Sequence, residues 1–271
     1  MSNSQHRFCL LVMAQIGMAL APALAHADIQ GFGDFSGFKI NQNDSQGLPG
    51  ITILPGIHSA TDLTGSAPFE ARSIFDTTPQ PTSHFTASFT YQDKDQSPTA
   101  DFAGFAFVLQ SVSGGSNAVG SDENRLGYNG GNFGSSVAVE FTLLNPLTTG
   151  VFANGSVGTG PNPISPVSLL SGHPITVDIN YDGAILKETV TDTTTGLSSQ
   201  TFSSLLQLPF TTAFVGLTAG TDSGTDQSFS NFQFTTVPEP SSLALAGIAA
   251  VGLFACIRRR SWSMLTAPLE F

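Results

Sequence analysis

Apolar and polar residues alternate along seven short stretches of this chain. They are residues 84–91 (HFTASFTY), 104–110 (GFAFVLQ), 136–143 (SVAVEFTL), 175–181 (ITVDINY), 185–191 (ILKETVT), 213–218 (AFVGLT) and 228–234 (SFSNFQF). A period of two puts every second side chain on one face of a strand, so each stretch predicts a half-buried strand. Turn-forming residues separate them: Ser113-Gly114-Gly115, Asn129-Gly130-Gly131, Asn154-Gly155, Asp182-Gly183 and Thr195-Gly196. Asp182-Gly183 predicts a two-residue hairpin joining 175–181 to 185–191. Between the chain ends no amphipathic stretch of helical period exceeds two turns, and no repeat period is visible. Many short strands with regular turns imply an all-β sandwich or barrel.

The two ends break this pattern. His6 and Arg7 open an apolar stretch over residues 8–20, and Ala25-His26-Ala27 places small residues before Asp28. This reads as a secretory signal peptide cleaved after Ala27. The alternative, an amino-terminal membrane anchor, is disfavoured by Pro22 and the small residues that follow. At the other end, Val237-Pro238-Glu239-Pro240 precedes an apolar run ending at Ile257, and Arg258-Arg259-Arg260 follows. The uncharged run 241–257 is about 25 Å long as a helix, within the range that spans a bilayer. Three arginines at its end would stay cytoplasmic. A Pro-Glu-Pro triplet, a short apolar helix and an arginine cluster together resemble the PEP-CTERM sorting signal of Gram-negative bacteria. The resemblance implies an exosortase in the inner membrane that cuts at the triplet and releases the protein outward. An ordinary tail anchor is the alternative. The chain then divides into a signal peptide (1–27), one domain (28–236), a sorting segment (237–260) and a short tail (261–271).

Charge narrows the partners. Residues 28–237 hold 5 Lys and Arg against 18 Asp and Glu, a net −13 compared with −11 for the whole chain. Such a surface argues against nucleic acid and anionic lipid. Both cysteines, Cys9 and Cys256, lie in the membrane-directed ends, so the domain has neither disulfide nor thiol chemistry. At this length one apolar core can hold a domain without staples.

Several strands, in order, resemble the L-type (legume-type) lectin domain, its bacterial members above all. The resemblance rests on Asp34-Phe35-Ser36-Gly37-Phe38, on residues 69–76 followed by 84–91, and on the GFAFVLQ strand at 104–110. It continues through Leu126-Gly127-Tyr128 and SVAVEF at 136–141, the hairpin over 177–183 and 187–196, and the pair 212–220 and 228–234. It implies a concanavalin A-like jelly roll of two large antiparallel sheets. Loops at one edge of that fold form a sugar site beside a calcium and a transition-metal ion.

The residues do not reproduce that metal site. Glu140 stands where the family has its first ligand, but Thr142 replaces the aspartate two residues on. The following loop is shortened at Asn145-Pro146, and neither Asp nor His occurs between Pro146 and Val157. One carboxylate cannot hold two divalent ions. Glu140 is therefore a candidate remnant ligand, and no cofactor is expected, with calcium as the alternative.

For sugar binding, Ala103 occupies the family's aspartate position before Gly104, and Asp101 stands two residues earlier. The carbohydrate candidates are Asp101, Gly104, Tyr128, Asn129 and Asp222. Loop 221–226 acting with 113–117 would support them. The plain alternative for Asp101 is a solvated turn residue, and for Asp222 and Asp226 it is loop solvation or a weak calcium site. Trp262 lies beyond the arginines, and most phenylalanines fall on alternating strand positions and belong to the core. Tyr91, Tyr128 and Tyr181 remain as stacking platforms, with Tyr128 in the Gly-rich loop foremost.

Hydrolases of this fold need two carboxylates alternating on one strand about 5–5.5 Å apart for retention. Glu140 has Thr142 and Leu144 at those positions, so enzyme activity is not expected. The expectation is an exported lectin-like protein that binds carbohydrate or extracellular polysaccharide without the usual metals. A non-binding structural protein of the matrix or biofilm is the alternative, and a glycoside hydrolase the third reading.

Overall fold

The computed structural model describes residues 28–30, 37–43, 52–54, 60–96, 103–121, 126–130, 132–203 and 206–236. The predicted signal peptide, the sorting segment with its apolar helix, and Asp101 lie outside the described residues. Residues 26–237 form one compact unit.

Sixteen strands are described. The first eight are β1 (Asp28–Gln30), β2 (Phe38–Gln42), β3 (Thr52–Leu54), β4 (Ala60–Thr64), β5 (Glu70–Asp76), β6 (Gln80–Pro81), β7 (Phe85–Asp93) and β8 (Gly104–Gln110). Then come β9 (Ser136–Thr142), β10 (Thr148–Ala153), β11 (Asn162–Pro163), β12 (Ile175–Tyr181), β13 (Leu186–Asp192), β14 (Ser198–Ser203), β15 (Thr212–Thr221) and β16 (Gln227–Thr236). Sheet I runs β14-β13-β12-β7-β16-β4-β3, with β1 also on β16. Sheet II runs β11-β10-β9-β8-β15-β5-β2, with β6 on β15. The pairings are antiparallel, and the first strand lies against the last, Asp28 opposite Thr235.

Alternation drives the stacking. In β7, Phe85, Ala87, Phe89 and Tyr91 point inward while Thr86, Ser88 and Thr90 are half-exposed. The inward faces of both sheets meet in one core where Phe105 stacks on Phe141 (ring centroids 4.6 Å apart) and on Tyr91 (4.4 Å). Each buried aromatic ring contributes a large apolar area and prefers such offset contacts.

Sheet II also buries part of its outer face. Phe75, Ala106, Val108 and Ala138 point away from the main core into a second cluster with Ala118, Leu126, Tyr128 and Phe133. Residues 126–130 and 132–136 lie over these side chains. The predicted two-residue hairpin is corrected: Tyr181 pairs with Leu186, leaving a four-residue loop. The Asp182 carboxylate accepts from the amides of Ala184 (3.0 Å) and Ile185 (2.8 Å), which lengthens the turn.

Candidate functional site

The β4–β5 loop, the end of β7 and the β15–β16 loop meet at one end of the sandwich, here called the rim. Gly224 (φ +83°) lies so close to the β4–β5 loop that a Cβ there would stand 2.2 Å from the Ser66 carbonyl oxygen, so only glycine fits. Thr64 donates its hydroxyl to the Thr225 carbonyl (2.6 Å), and the Gln227 amide donates to Thr64 Oγ1 (3.0 Å) and the Gly220 carbonyl (3.1 Å). Beneath them, Arg72 donates to Glu70 at 2.9 Å, and both side chains are almost fully buried. Arg72 also donates to the Leu63 carbonyl (3.2 Å), and Glu70 accepts from the Gly65 amide. The two loops are thus one fastened unit.

Phe69 rides on that unit. Its side chain is 42% exposed, while most phenylalanines of the chain are packed in strands. Its φ of +61° puts a bulky L-residue in the left-handed region, which costs on the order of 1–2 kcal/mol. Such strain persists where the surroundings over-determine it, and it concentrates at functional sites. The turn signal Gly65-Ser66-Ala67-Pro68 before Phe69 is what distinguishes it from the core phenylalanines.

Carboxylates surround the same end. Asp62 pairs with Lys94 at 2.5 Å, and the Lys94 amide donates to the Asp226 carbonyl at 2.9 Å. Burial, then the charge of Asp62, pushes the Asp226 carboxyl up to about 6. Asp93 is completely buried, and burial together with the nearby Asp95 carboxyl raises it to about 7. The amides of Asp95 and Gln96 lie near enough to favour its ionised form in part.

The sequence-predicted residues divide. Gly104 and Asp222 fall at this end: Gly104 pairs with Gly220 in the strand register, and Asp222 follows two residues later. Gly104 is required there, because a Cβ would meet Leu126 at 2.3 Å and the Phe141 carbonyl oxygen at 2.4 Å. Asn129 is half-exposed, and its carbonyl accepts from the Ser121 amide at 3.0 Å. Tyr128 requires correction as a stacking platform. Its ring is fully buried, tilted against Phe133 at 4.8 Å, and its hydroxyl lies 2.6 Å from Ser136 Oγ. Tyr91 and Tyr181 are buried too. Outside the rim, a shallow depression of about 340 Å³ opens on the outer face of sheet I among Ser88, Asp178, Asn180, Lys187 and Gln233; it holds no aromatic side chain.

Glu140 tests the family's metal pair. It is fully buried on the outer face of sheet II, where Gly158 donates to Oε2 at 3.3 Å and Oε1 has no partner. Burial pushes its carboxyl up to about 8. The Thr142 hydroxyl is engaged with Thr148, 2.8 Å from its Oγ1. Among the described residues no three His, Cys, Asp or Glu side chains converge as metal ligands. A carboxyl that resists ionisation, with a hydroxyl and no second carboxylate beside it, does not fit two divalent ions.

Comparison with known proteins adds two findings. Residues 236–260 match the PEP-CTERM protein-sorting motif. The chain is similar in structure to arcelin-5, a lectin-like defence protein from Phaseolus vulgaris (17% identity, TM-score 0.59, covering 79% of this chain and 99% of that one). It is also similar to the metal-free form of lectin I-B4 from Griffonia simplicifolia (18%, TM-score 0.58, 78% and 99%). A third similar structure is the basic winged bean lectin with Tn-antigen (16%, TM-score 0.59, 78% and 98%). No curated protein sequence matches the chain.

Proposed function

We propose that this all-β chain, of the legume-lectin jelly-roll fold and carrying a PEP-CTERM sorting motif, is an exported carbohydrate-binding protein whose saccharide site is the rim. One observation carries this reading: an exposed, conformationally strained Phe69 is locked to the loop that bears Asp222 and Asp226. A ring face stacks on the apolar face of a sugar, and carboxylates accept from its hydroxyls. Gly104 belongs to the same end, whereas Asn129 lies with Ser121 and, through its neighbour Gly130, with Gly155 towards the Ser136 end of sheet II; Asp101, outside the described residues, is kept as a proposed member of the set. The usual metal pair has no role, since the residues around Glu140 do not fit it. The metal-free form of lectin I-B4 is a structure of the same fold.

Delivery follows from the tail. In this reading the signal peptide is removed after Ala27, and the precursor is held transiently in the inner membrane. An exosortase then cuts at Pro238-Glu239-Pro240, with Arg258, Arg259 and Arg260 on the cytoplasmic side, to leave the domain at the cell surface or outside. A glycan array with residues 28–236, run with and without EDTA, tests the binding. Chelator-insensitive capture of a saccharide supports it; no capture, including of the producer's own polysaccharide, favours the structural matrix protein instead. The buried Tyr128 favours that second reading, because it removes one aromatic from the site. Mass spectrometry of protein recovered outside the cell tests delivery: a product that retains residues 243–260 overturns cleavage.

A further inference from the structure

We propose that the outer face of sheet I is a second saccharide surface, separate from the rim, that takes an extended neutral polysaccharide laid across the strands. The depression of about 340 Å³ on that face lies over four neighbouring strands, β13, β12, β7 and β16. Strand register sets its polar residues in two rows. Lys187, Asn180, Thr86 and Thr235 stand side by side in one row, and Thr189, Asp178, Ser88 and Gln233 in the other. Neighbouring strands lie about 4.8 Å apart and alternate residues along a strand about 6.6 Å, so each row runs about 14 Å and the two rows flank a lane of constant width.

A bulge in β16 completes the rows. The register shifts between Ser230 and Gln233, where Asn231 takes a φ of +55°. Without the extra residue, Phe232 would stand opposite Ser88 and face outward. With it, Phe232 is buried and Gln233 takes the outward place. Bulges re-aim side chains in this way beside functional sites. Every exposed or half-exposed residue of the four strands is in consequence polar. Lys187 already interacts within the protein, whereas the side chains of Ser88, Asp178, Asn180 and Gln233 have no partner among the described residues. Their groups are available to a ligand.

The chemistry of the lining selects the ligand. A sugar hydroxyl both donates and accepts, and the rows offer hydroxyls and amides that do either, a carboxylate that accepts and an ammonium that donates. One acid and one base, Asp178 and Lys187, leave the lining without net charge, and the net −13 of residues 28–237 repels an anionic polymer. A second copy of the chain fits less well, because the buried cores of homodimer interfaces are mostly apolar and these strands present no apolar side chain outward. A β-1,4-linked sugar chain in its extended form advances at each residue by nearly the strand spacing, so about one sugar falls on each strand. With no aromatic platform on this face, affinity comes from many hydrogen bonds along a chain and from its repeated units.

The test uses residues 28–236, which lie within one compact unit. The protein is run in native gels cast with hydroxyethylcellulose or galactomannan, and with dextran and alginate as the flexible and the anionic comparison. Retardation by the first two polymers and free migration in the last two is the expected result. Asn180→Ala combined with Gln233→Ala changes two exposed side chains and should weaken retardation about tenfold, while capture of short sugars on the glycan array stays as in the parent. An empty array with retardation intact supports this surface and removes the rim as a saccharide site. Free migration in both neutral polymers overturns the proposal, as does equal retardation by alginate. So does retardation that survives the double substitution or that Phe69→Ala alone abolishes, since the polymer is then held elsewhere. A dimer in sedimentation velocity that the double substitution dissociates assigns the face to a second copy and overturns the proposal as well.

Discussion

Thr149 on β10 donates its hydroxyl to Glu188 on β13 at 2.7 Å, so a threonine of one sheet holds a carboxyl of the other across the interior. Both side chains are nearly inaccessible, and the other carboxyl oxygen, Oε1, has no partner. Burial pushes Glu188 up to about 7, while the hydroxyls of Thr149 and Thr201 act in the opposite direction. Thr149→Val keeps the shape and removes a donor. It should lower unfolding stability by about 1–3 kcal/mol, the cost of an unsatisfied buried polar group, read from urea denaturation.

Glu140 sets a pH dependence of the opposite sense to ordinary acid denaturation. Its carboxyl binds a proton more tightly in the folded chain, at about 8, than at its ordinary value of 4.5. Between those values the folded state holds more protons, so its contribution is fully present below about pH 4.5 and lost as pH rises through 8. Glu188 adds to the same slope up to about pH 7. Urea unfolding at pH 5, 7 and 9 should show stability falling with pH. Glu140→Gln should flatten that fall and make the variant more stable than the parent at pH 9; an unchanged slope removes Glu140 as its source.

Gly104→Ala forces a methyl group against a backbone carbonyl, which unlike a side-chain tip has nowhere to go. A cost of about 1–3 kcal/mol, and more if β8 and β9 separate, corresponds to a Tm lower by roughly 3–10 °C in calorimetry. Tyr128→Phe should cost about 1 kcal/mol through the lost bond to Ser136 and leave glycan capture unchanged.

Phe69 separates stability from binding. Phe69→Gly removes a side chain from the left-handed region and should stabilise the domain by about 1 kcal/mol, while Phe69→Ala should not. Both should weaken saccharide capture, by roughly three- to tenfold on the scale of one aromatic contact. If both variants bind as the parent does, the rim is not the saccharide site.

The strands that face one core were legible because one buried face imposes a period of two. All seven alternating stretches overlap observed strands, from 104–110, which coincides with β8, to 213–218, which is the middle of β15. β5 is legible only through the family resemblance at 69–76, because Glu70–Asp76 is buried on both faces and shows no alternation. The hairpin at Asp182 was misjudged by two residues because the side-chain acceptor, not Gly183 alone, shapes the turn. At the site, Gly104 was picked out by the motif as a carbohydrate candidate, while its packing role against Leu126 and the Phe141 carbonyl needed the structure. The burial of Tyr128 was not legible, since it depends on its own Gly-rich segment folding down onto the outer face of sheet II.

The last strand fixes at which end the chain leaves the domain. β16 starts at the rim with Gln227 and ends ten residues later at Thr236, where the sorting motif begins. Ten residues of strand span about 33 Å. In the proposed reading, a cut just past Thr236 falls at the end of β16 away from Asp222 and Asp226. Were the tail processed there, as proposed, the cut and the proposed saccharide site would lie at opposite ends of β16, and neither would need to clear the other.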